Sequence, residues 1–290
     1  MDEDQLVREL TALWDTASET LIGPGDDCAV WPVAPQGAVS VAKVDAVAEH
    51  VHFRSQDSAA RVGHKALGRV LSDFGAMGAT PRHALVTIGF PFQTRSRHWL
   101  KNCYRGMAKL AAGYQVGLAG GELTQSDQIW ISVSLFGYIK ASHITSRSGG
   151  TAGEALYVTG QLGGSFPRRH LSFKPRLAEG QWLARRGVSA MMDLSDGLGK
   201  DLPRLAAASA CSYALQPDCL PRYRGCSVEQ AVNDGEDYEL LFAVSSGKEK
   251  RLVRDWPFEL PLTRIGELLP DSRQPVTGGV KLTGWDHLCK

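Results

Sequence analysis

The sequence contains no apolar run long enough to span a bilayer, no Cys-x-x-Cys pair and no Gly-x-x-x-x-Gly-Lys-[Ser/Thr] loop. The first absence argues against a membrane-spanning helix. The second argues against a zinc ribbon or a dithiol redox site. The third excludes a P-loop as the means of holding a nucleotide. Net charge is lacking too: 32 Lys and Arg stand against 31 Asp and Glu. That balance gives no overall pull toward nucleic acid or an anionic membrane, so neither is expected as a partner. Six cysteines are scattered, at 28, 103, 211, 219, 226 and 289, a pattern expected of reduced thiols in the cytoplasm rather than of a disulfide framework. The N-terminal "MDEDQLVREL" is acidic and helix-like, unlike a secretory signal.

A length of 290 residues with 43% hydrophobic side chains suits one large soluble domain or two ordinary ones. Leu6, Leu10, Leu13 and Trp14 carry the spacing of an amphipathic helix. "GAVSVAKVDAVA", "HALVTIGFP" and the alternating "IWISVSLFGYI" read as strands, and "AARVGHKALGRVLSDFGAMG" and "RHWLKNCYRGMAKLAAGYQ" as helices. The polar, glycine-rich "KASHITSRSGGTAGE" (140–154) is the expected boundary between an N-terminal domain, 1–140, and a C-terminal domain, 150–290. Beyond it "ALYVTG" and "DYELLFAVS" read as strands, "PRLAEGQWLARRG" as a helix, and "AMMDLSDGLGKDLPRLAAASA" as strand, loop and helix with Pro203 in the first turn. The tail "GGVKLTGWDHLCK" reads as a strand and a terminal loop, and the basic "PRRHLSFKPR" as a solvated face.

Carboxylates gather where such elements end. "MMDLSDGLGKDL" brings Asp193, Asp196 and Asp201 to the mouth of an apolar strand, a costly arrangement unless a cation or a set of donors offsets the repulsion. Similar loops are expected at "IGPGDDCAVW", with Asp26 and Asp27; at "VDAVAEHVHF", with Asp45, Glu49, His50 and His52; at "VLSDFGAMGA", with Asp73; and at "AGGELTQSD", with Glu122. Hard oxygen donors of this kind suit Mg²⁺, which favours carboxylates, water and phosphate oxygens. Neighbouring glycines let a phosphate approach the backbone, and the helix after Asp196 would offer it free N–H groups. Each piece has a plainer reading as a turn, a cap or a strand face. Together they suggest a metal–nucleotide site built without a P-loop.

The motifs "GDDCAVW", "SDFGAMGA", "AGGE", "ITSRSG", "LYVTGQLGGS", "MMDLSDGL", "GEDYELLF" and "GWDHL", in this order and spacing, run almost end to end. Through them the chain resembles the thiamine-monophosphate kinases, in the superfamily that includes aminoimidazole ribonucleotide synthetase and selenophosphate synthetase. The resemblance implies an α+β architecture of two α/β domains. The N-terminal one would dimerise through its sheet into a homodimer, and the C-terminal one would be a mixed sheet with helices. It implies transfer of the γ-phosphoryl group of ATP to thiamine monophosphate, with several Mg²⁺ ions. By position, Asp27, Asp45, Asp73, Glu122, Asp193 and Asp196 fall on the family's metal ligands. Tyr104, Gly121, Glu122, Arg147 and Ser195 fall on its nucleotide contacts, and His52, Glu236 and Trp285 on its acceptor contacts. Asp45, Asp73 and Arg147 are the residues expected to carry catalysis, and Phe53 and Trp285 to offer apolar faces to the acceptor's heterocycles.

The chain departs from the family's pattern at four places. Lys43 and Val44 stand where the family has hydroxyl residues, Val70 where it has Asn, Glu122-Leu123 where it has Asp-Thr, and Glu49-His50-Val51-His52 where it has Glu-Gly-x-His. Val44 removes an oxygen donor, and Lys43 sets an ammonium beside the expected metals, where it cannot bridge phosphate oxygens as a metal does. Two other readings keep the fold: an ATP-dependent enzyme with a different phosphorylated acceptor, or a non-catalytic nucleotide-binding homologue.

Overall fold

The computed structural model describes residue 6, residues 9–20 and residues 31–285, with backbone only at 167 and 168. Asp27 therefore lies outside the described residues. The chain divides into two compact units, the first Met1–Phe74 with Ala79–Ala141, the second Gly75–Gly78 with Ser142–Lys290.

The first unit is a four-stranded sheet with two long helices. Its strands are β1 (Ala38–Ala48), β2 (Thr80–Phe90), β3 (Gly117–Gln125) and β4 (Trp130–Lys140), in the order β1-β4-β2-β3. β4 pairs antiparallel with both β1 and β2, whereas β2 and β3 run parallel. A parallel pair needs a long crossover, which helix α2 (Arg97–Tyr114) supplies. Helix α1 (Ala59–Met77) precedes β2 and buries Val62, Ala66, Val70 and Phe74 along one stripe. The two helices touch backbone to backbone: a Cβ at Gly106 would lie 1.9 Å from the Ala60 carbonyl oxygen, and one at Gly63 2.1 Å from that of Cys103. Alternation sorts the sheet into two faces. Ile131, Val133 and Leu135 of β4 are fully buried, whereas Val44 on the opposite face of β1 is 60% exposed.

The second unit is a five-stranded sheet of β5 (Ala155–Thr159), β6 (Ala190–Asp193), β7 (Cys211–Leu215), β8 (Leu240–Val244) and β9 (Leu262–Pro270), ordered β6-β8-β5-β9-β7 with every neighbour antiparallel. Its helices are α3 (Ser165–Arg168), α4 (Leu177–Arg185), α5 (Leu198–Ala208), α6 (Val228–Asn233) and α7 (Ser246–Arg254). The unbroken apolar run of β8 marks a strand covered on both sides. Leu241 and Ala243 pack with Leu198, Leu202 and Leu205 of α5, while Leu240, Phe242 and Val244 pack with Leu183 and Leu252 of α4 and α7.

Three local expectations need correction. Pro203 sits inside α5 rather than in its first turn, because the helix already begins at Leu198 after Gly197, at φ 98°. Residues 281–285 form no strand; side chains hold the segment instead of a ladder. The basic stretch is not a solvated face. Arg169 donates to the buried Asp237 at 2.9 Å, and Arg176 grips the buried Glu239 through Nε at 2.7 Å and Nη2 at 2.5 Å.

These two arginines brace the loop before β8. Glu236 and Tyr238 there have φ of 55° and 52°, a left-handed conformation costing roughly 1–2 kcal/mol per residue. Compensation comes from packing and hydrogen bonds. Tyr238 stacks on Phe173 with centroids 3.8 Å apart, Asp237 accepts from the Gly163 N–H at 3.0 Å, and Glu239 accepts from Thr159 Oγ1 at 2.7 Å. Burial pushes the Asp237 carboxyl up to about 7, and the Gly163 N–H and Arg169 offset only part of that rise.

An unfolded aspartate loses its proton near about pH 4, so the folded state holds this proton more tightly. The stability the carboxyl contributes is full below that pH and is lost as pH rises through about 7. The stability of the wild type relative to Asp237→Asn should therefore fall by on the order of a few kcal/mol between about pH 4 and 7 in urea unfolding. A difference that stays flat or rises across that window contradicts the assignment.

Candidate functional site

Among the described residues of the first unit, Asp45 and Asp73 lie within regular elements, not on loops as the sequence suggested. Asp45 is in mid-strand because β1 keeps its pairing with β4 through Ala48, and Asp73 is on α1, whose apolar stripe continues to Phe74. Lys43 and Asp45, two apart on β1, oppose the buried Leu135 and Val133 and so share the face covered by helices. Arg69 and Asp73, four apart on α1, share a helix face. The four meet as two ion pairs: Lys43 Nζ lies 3.0 Å from Asp73 Oδ2, and Arg69 Nη2 lies 3.2 Å from Asp45 Oδ2. Arg69 is fixed further by donating to the Ala46 carbonyl at 2.7 Å.

The following turn holds His52, half-buried, whose Nδ1 accepts from the Ala48 N–H at 3.1 Å and whose carbonyl accepts from Lys65 Nζ at 2.7 Å. With Nδ1 occupied as an acceptor, a neutral His52 carries its proton on Nε2. Glu49 is committed elsewhere: it is buried, accepts from Arg95 Nη2 at 2.5 Å and binds the Ile129 N–H. Phe53, expected to face an acceptor, is only 2% exposed and stacks on Trp99 in the core.

Register separates the remaining positions. Asp45, Val133, Val86 and Gly121 form one transverse row on the helix-covered face, with Asp45 and Gly121 at opposite edges, roughly 14 Å apart at three strand spacings. Gly121 admits no side chain, since a Cβ would lie 2.0 Å from the Val86 carbonyl oxygen. Glu122 shares the next row with Thr87, Ser132 and Ala46, on the open face. The structure thus does not bring it beside Asp45. Tyr104 is buried within α2, where desolvation pushes its phenol well above the usual range.

The second unit laces two loops together. Asp193 ends β6 fully enclosed, and the half-buried Ser195 and Asp196 follow. Leu194 N–H donates to the Glu239 carbonyl at 2.8 Å, Glu236 N–H to the Ser195 carbonyl at 2.7 Å, and Tyr238 N–H to the Leu194 carbonyl at 2.8 Å. Arg204 Nη1 bridges Asp196 Oδ2 at 2.7 Å and Asp201 Oδ1 at 2.9 Å. Burial, then the Asp196 charge, raises the Asp201 carboxyl to about 6. Asp201 also accepts from the Asp196 N–H at 3.0 Å, so one N–H expected to be free for an anion is already capped. Glu236 is held by the buried His170, its Oε2 lying 3.0 Å from Nδ1. Arg147 is exposed, and its guanidinium makes no ion pair among the described residues.

Trp285 joins this cluster through its backbone. Its N–H donates to the Asp196 carbonyl at 2.8 Å and its carbonyl accepts from Lys200 Nζ at 2.6 Å, leaving the residue 42% exposed. Asn233 clasps the segment before it: Nδ2 donates to the Lys281 carbonyl at 2.9 Å, and Oδ1 accepts from the Thr283 and Gly284 N–H groups at 2.8 and 3.0 Å. Sequence reasoning missed Arg69, His170, Lys200, Arg204 and Asn233. Arg69, one helical turn before Asp73, and Lys200, one turn after Asp196, were findable from spacing. His170 and Asn233, distant in sequence from their partners, were not.

The donor sets fit a hard divalent cation. Among the described residues no three His, Cys, Asp or Glu side chains converge to form a cage. Mg²⁺ takes one or two carboxylates and completes its shell with water and phosphate oxygens, a chemistry that partly exposed carboxylates such as Asp45, Asp73 and Asp196 suit without a cage.

Residues 25–139 match the family of AIR synthase related protein, N-terminal domain. The thiamine-monophosphate kinase of Rhodopirellula baltica is 36% identical over 274 residues, covering 87% of this chain and 84% of that protein. The crystal structure of thiamine-monophosphate kinase from Stenotrophomonas maltophilia superposes with a TM-score of 0.82 at 26% identity, over 96% of each chain. That of AaThiL complexed with AMPPCP and TMP gives 0.78 at 27% identity, over 91% of each. With its fold, its carboxylate pairs and these likenesses taken together, the chain belongs to the thiamine-monophosphate kinase family.

Proposed function

We propose that the protein transfers the γ-phosphoryl group of ATP to the phosphate of thiamine monophosphate, giving thiamine diphosphate and ADP. The observation that carries this reading is the end-to-end similarity to a relative complexed with AMPPCP and TMP, an ATP-like triphosphate and an acceptor phosphate. The acceptor phosphate is already anionic near neutral pH, so the chemistry needs no strong general base. The barrier lies in bringing two polyanions into line. In this reading Asp45, Asp73, Asp193 and Asp196, with Asp27 by family position, would hold Mg²⁺, and Glu122, on the other face of the sheet, would not. When bound, the ion supplies the positive charge that lets the phosphates approach and stabilises the charge developing between them.

The chain's own groups do the rest. Arg147 presents a fixed cation to the triphosphate, and Ser195 and Gly121 contribute a hydroxyl and a bare backbone edge to nucleotide contact, with Tyr104 assigned there by family position alone. His52 and Glu236 orient the acceptor, and Trp285 offers its ring to the cationic heterocycle. His170 sets the Glu236 carboxylate, and Asn233 sets Trp285. No helix among the described residues is long and apolar enough to cross a membrane, and a cytoplasmic homodimer completes the reading. The open face of the four-stranded sheet, on which Val44 is 60% exposed, supports the dimer.

Purified protein with ATP, Mg²⁺ and thiamine monophosphate should form thiamine diphosphate. Asp73→Asn and Asp196→Asn should each lower kcat about a hundredfold or more while the fold is kept. Near wild-type rates in both would remove the metal assignment. ATP binding without product would move the weight to a different phosphorylated acceptor or to a non-catalytic role. Trp285→Ala and His52→Ala should raise KM for thiamine monophosphate about tenfold with KM for ATP unchanged; an equal rise for both substrates contradicts acceptor-side roles. Asn233→Ala should reproduce the Trp285→Ala pattern through loss of the clasp, together with faster hydrogen exchange at residues 283–285. Unchanged exchange and KM would show that the clasp does not position the tryptophan.

A further inference from the structure

The quartet on β1 and α1 is balanced by charges of its own. Lys43 faces Asp73 at 3.0 Å and Arg69 faces Asp45 at 3.2 Å, with each acid one strand repeat or one helical turn from the other's cation. The sum of the four charges is zero. Without Lys43 it would be minus one. Lys43 is the group that a family-like hydroxyl would leave uncharged, and its side chain is 37% exposed, within reach of water and of an incoming ion.

We infer that Lys43 is a resident counter-cation for these carboxylates. Its ammonium supplies beside Asp73 the positive charge that the acids would otherwise draw from a divalent metal, so the first unit binds that metal more weakly than its acids alone would. The inference rests on the reading that Asp45 and Asp73 take Mg²⁺. A divalent ion approaching the present quartet meets less attraction than it would with residue 43 uncharged, and it must also displace the ammonium from the oxygen it would coordinate. Arg69 cannot be displaced in the same way, because the Ala46 carbonyl holds its other nitrogen. The ammonium keeps three donors on a flexible stem and can turn from Asp73 to a phosphate oxygen when a nucleotide arrives. Charge beside the phosphates is thereby retained with one divalent ion fewer.

The test uses the full chain without nucleotide and Mn²⁺ as the probe, with free Mn²⁺ read by its paramagnetic resonance signal. Lys43→Thr should bind Mn²⁺ about tenfold more tightly than wild type. Lys43→Met, which keeps the stem's packing, should show the same gain, and Lys43→Arg, which keeps the charge, should show none. Adding Asp73→Asn to Lys43→Thr should abolish the gain. Mn²⁺ affinity unchanged or weaker in both neutral variants overturns the inference. Tighter binding in those variants, with no thiamine diphosphate formed by any of the proteins, upholds it and removes the kinase reading. Product formed by wild type with Mn²⁺ affinity indifferent to Lys43 does the reverse.

Discussion

Carboxylates placed close together repel, and a partly dry environment strengthens the repulsion; the acidic clusters among the described residues are arranged around that constraint. Asp73 and Asp45 are met by Lys43 and Arg69, Asp196 and Asp201 by Arg204, Asp237 by Arg169, and Glu239 by Arg176. The pairs are not equivalent. At Asp237 and Glu239 the carboxyls are buried and braced by backbone and hydroxyl donors, so removing an arginine would leave a buried acid uncompensated. Those at Asp45, Asp73 and Asp196 are partly exposed and contribute little to stability as exposed pairs do. In the proposed function they are the ones that would exchange a protein cation for a metal ion.

Around this division the second unit is built as a relay of backbone contacts. The loop after β6 carries Asp193, Ser195 and Asp196, and the loop before β8 carries Glu236. Three main-chain hydrogen bonds join them. Arg169 and Arg176, through their buried acidic partners, hold the second loop in its left-handed conformations, and Glu236 there meets His170. The segment ending at Trp285 is then tied to the first loop at Asp196 and to α6 at Asn233. Within the second unit, Asp196, Ser195, Glu236 and Trp285, proposed for metal, nucleotide and acceptor, therefore share one framework.

Much of the fold was legible in the sequence. Strict alternation gave β4, the unbroken apolar run gave β8, and the apolar stripe gave α1 and α2, because each pattern is a local consequence of which face is buried. The site residues were reached through motif resemblance, and local chemistry alone misjudged their setting. Asp45 and Asp73 looked like loop acids but lie within a strand and a helix. Glu122 looked like their companion, yet the parallel register with β2 turns its row to the other face. Phe53 resembled a substrate contact, and its partner in the core, Trp99, is too far along the chain for spacing to reveal. The arginines of "PRRHLSFKPR" were read as solvated because their buried partners, Asp237 and Glu239, lie more than sixty residues away. Pairings across the fold are set by topology, which a single stretch of sequence does not carry.

The central claim is direct phosphoryl transfer between two small phosphates on this framework. Its most direct test is a single turnover with ATP labelled in its γ-phosphoryl group, excess enzyme, Mg²⁺ and thiamine monophosphate, followed by separation of the products. The account predicts that the label appears in the terminal phosphate of thiamine diphosphate in step with ADP, with no labelled protein intermediate. Label appearing only as inorganic phosphate, or remaining in ATP while the nucleotide stays bound, would contradict it.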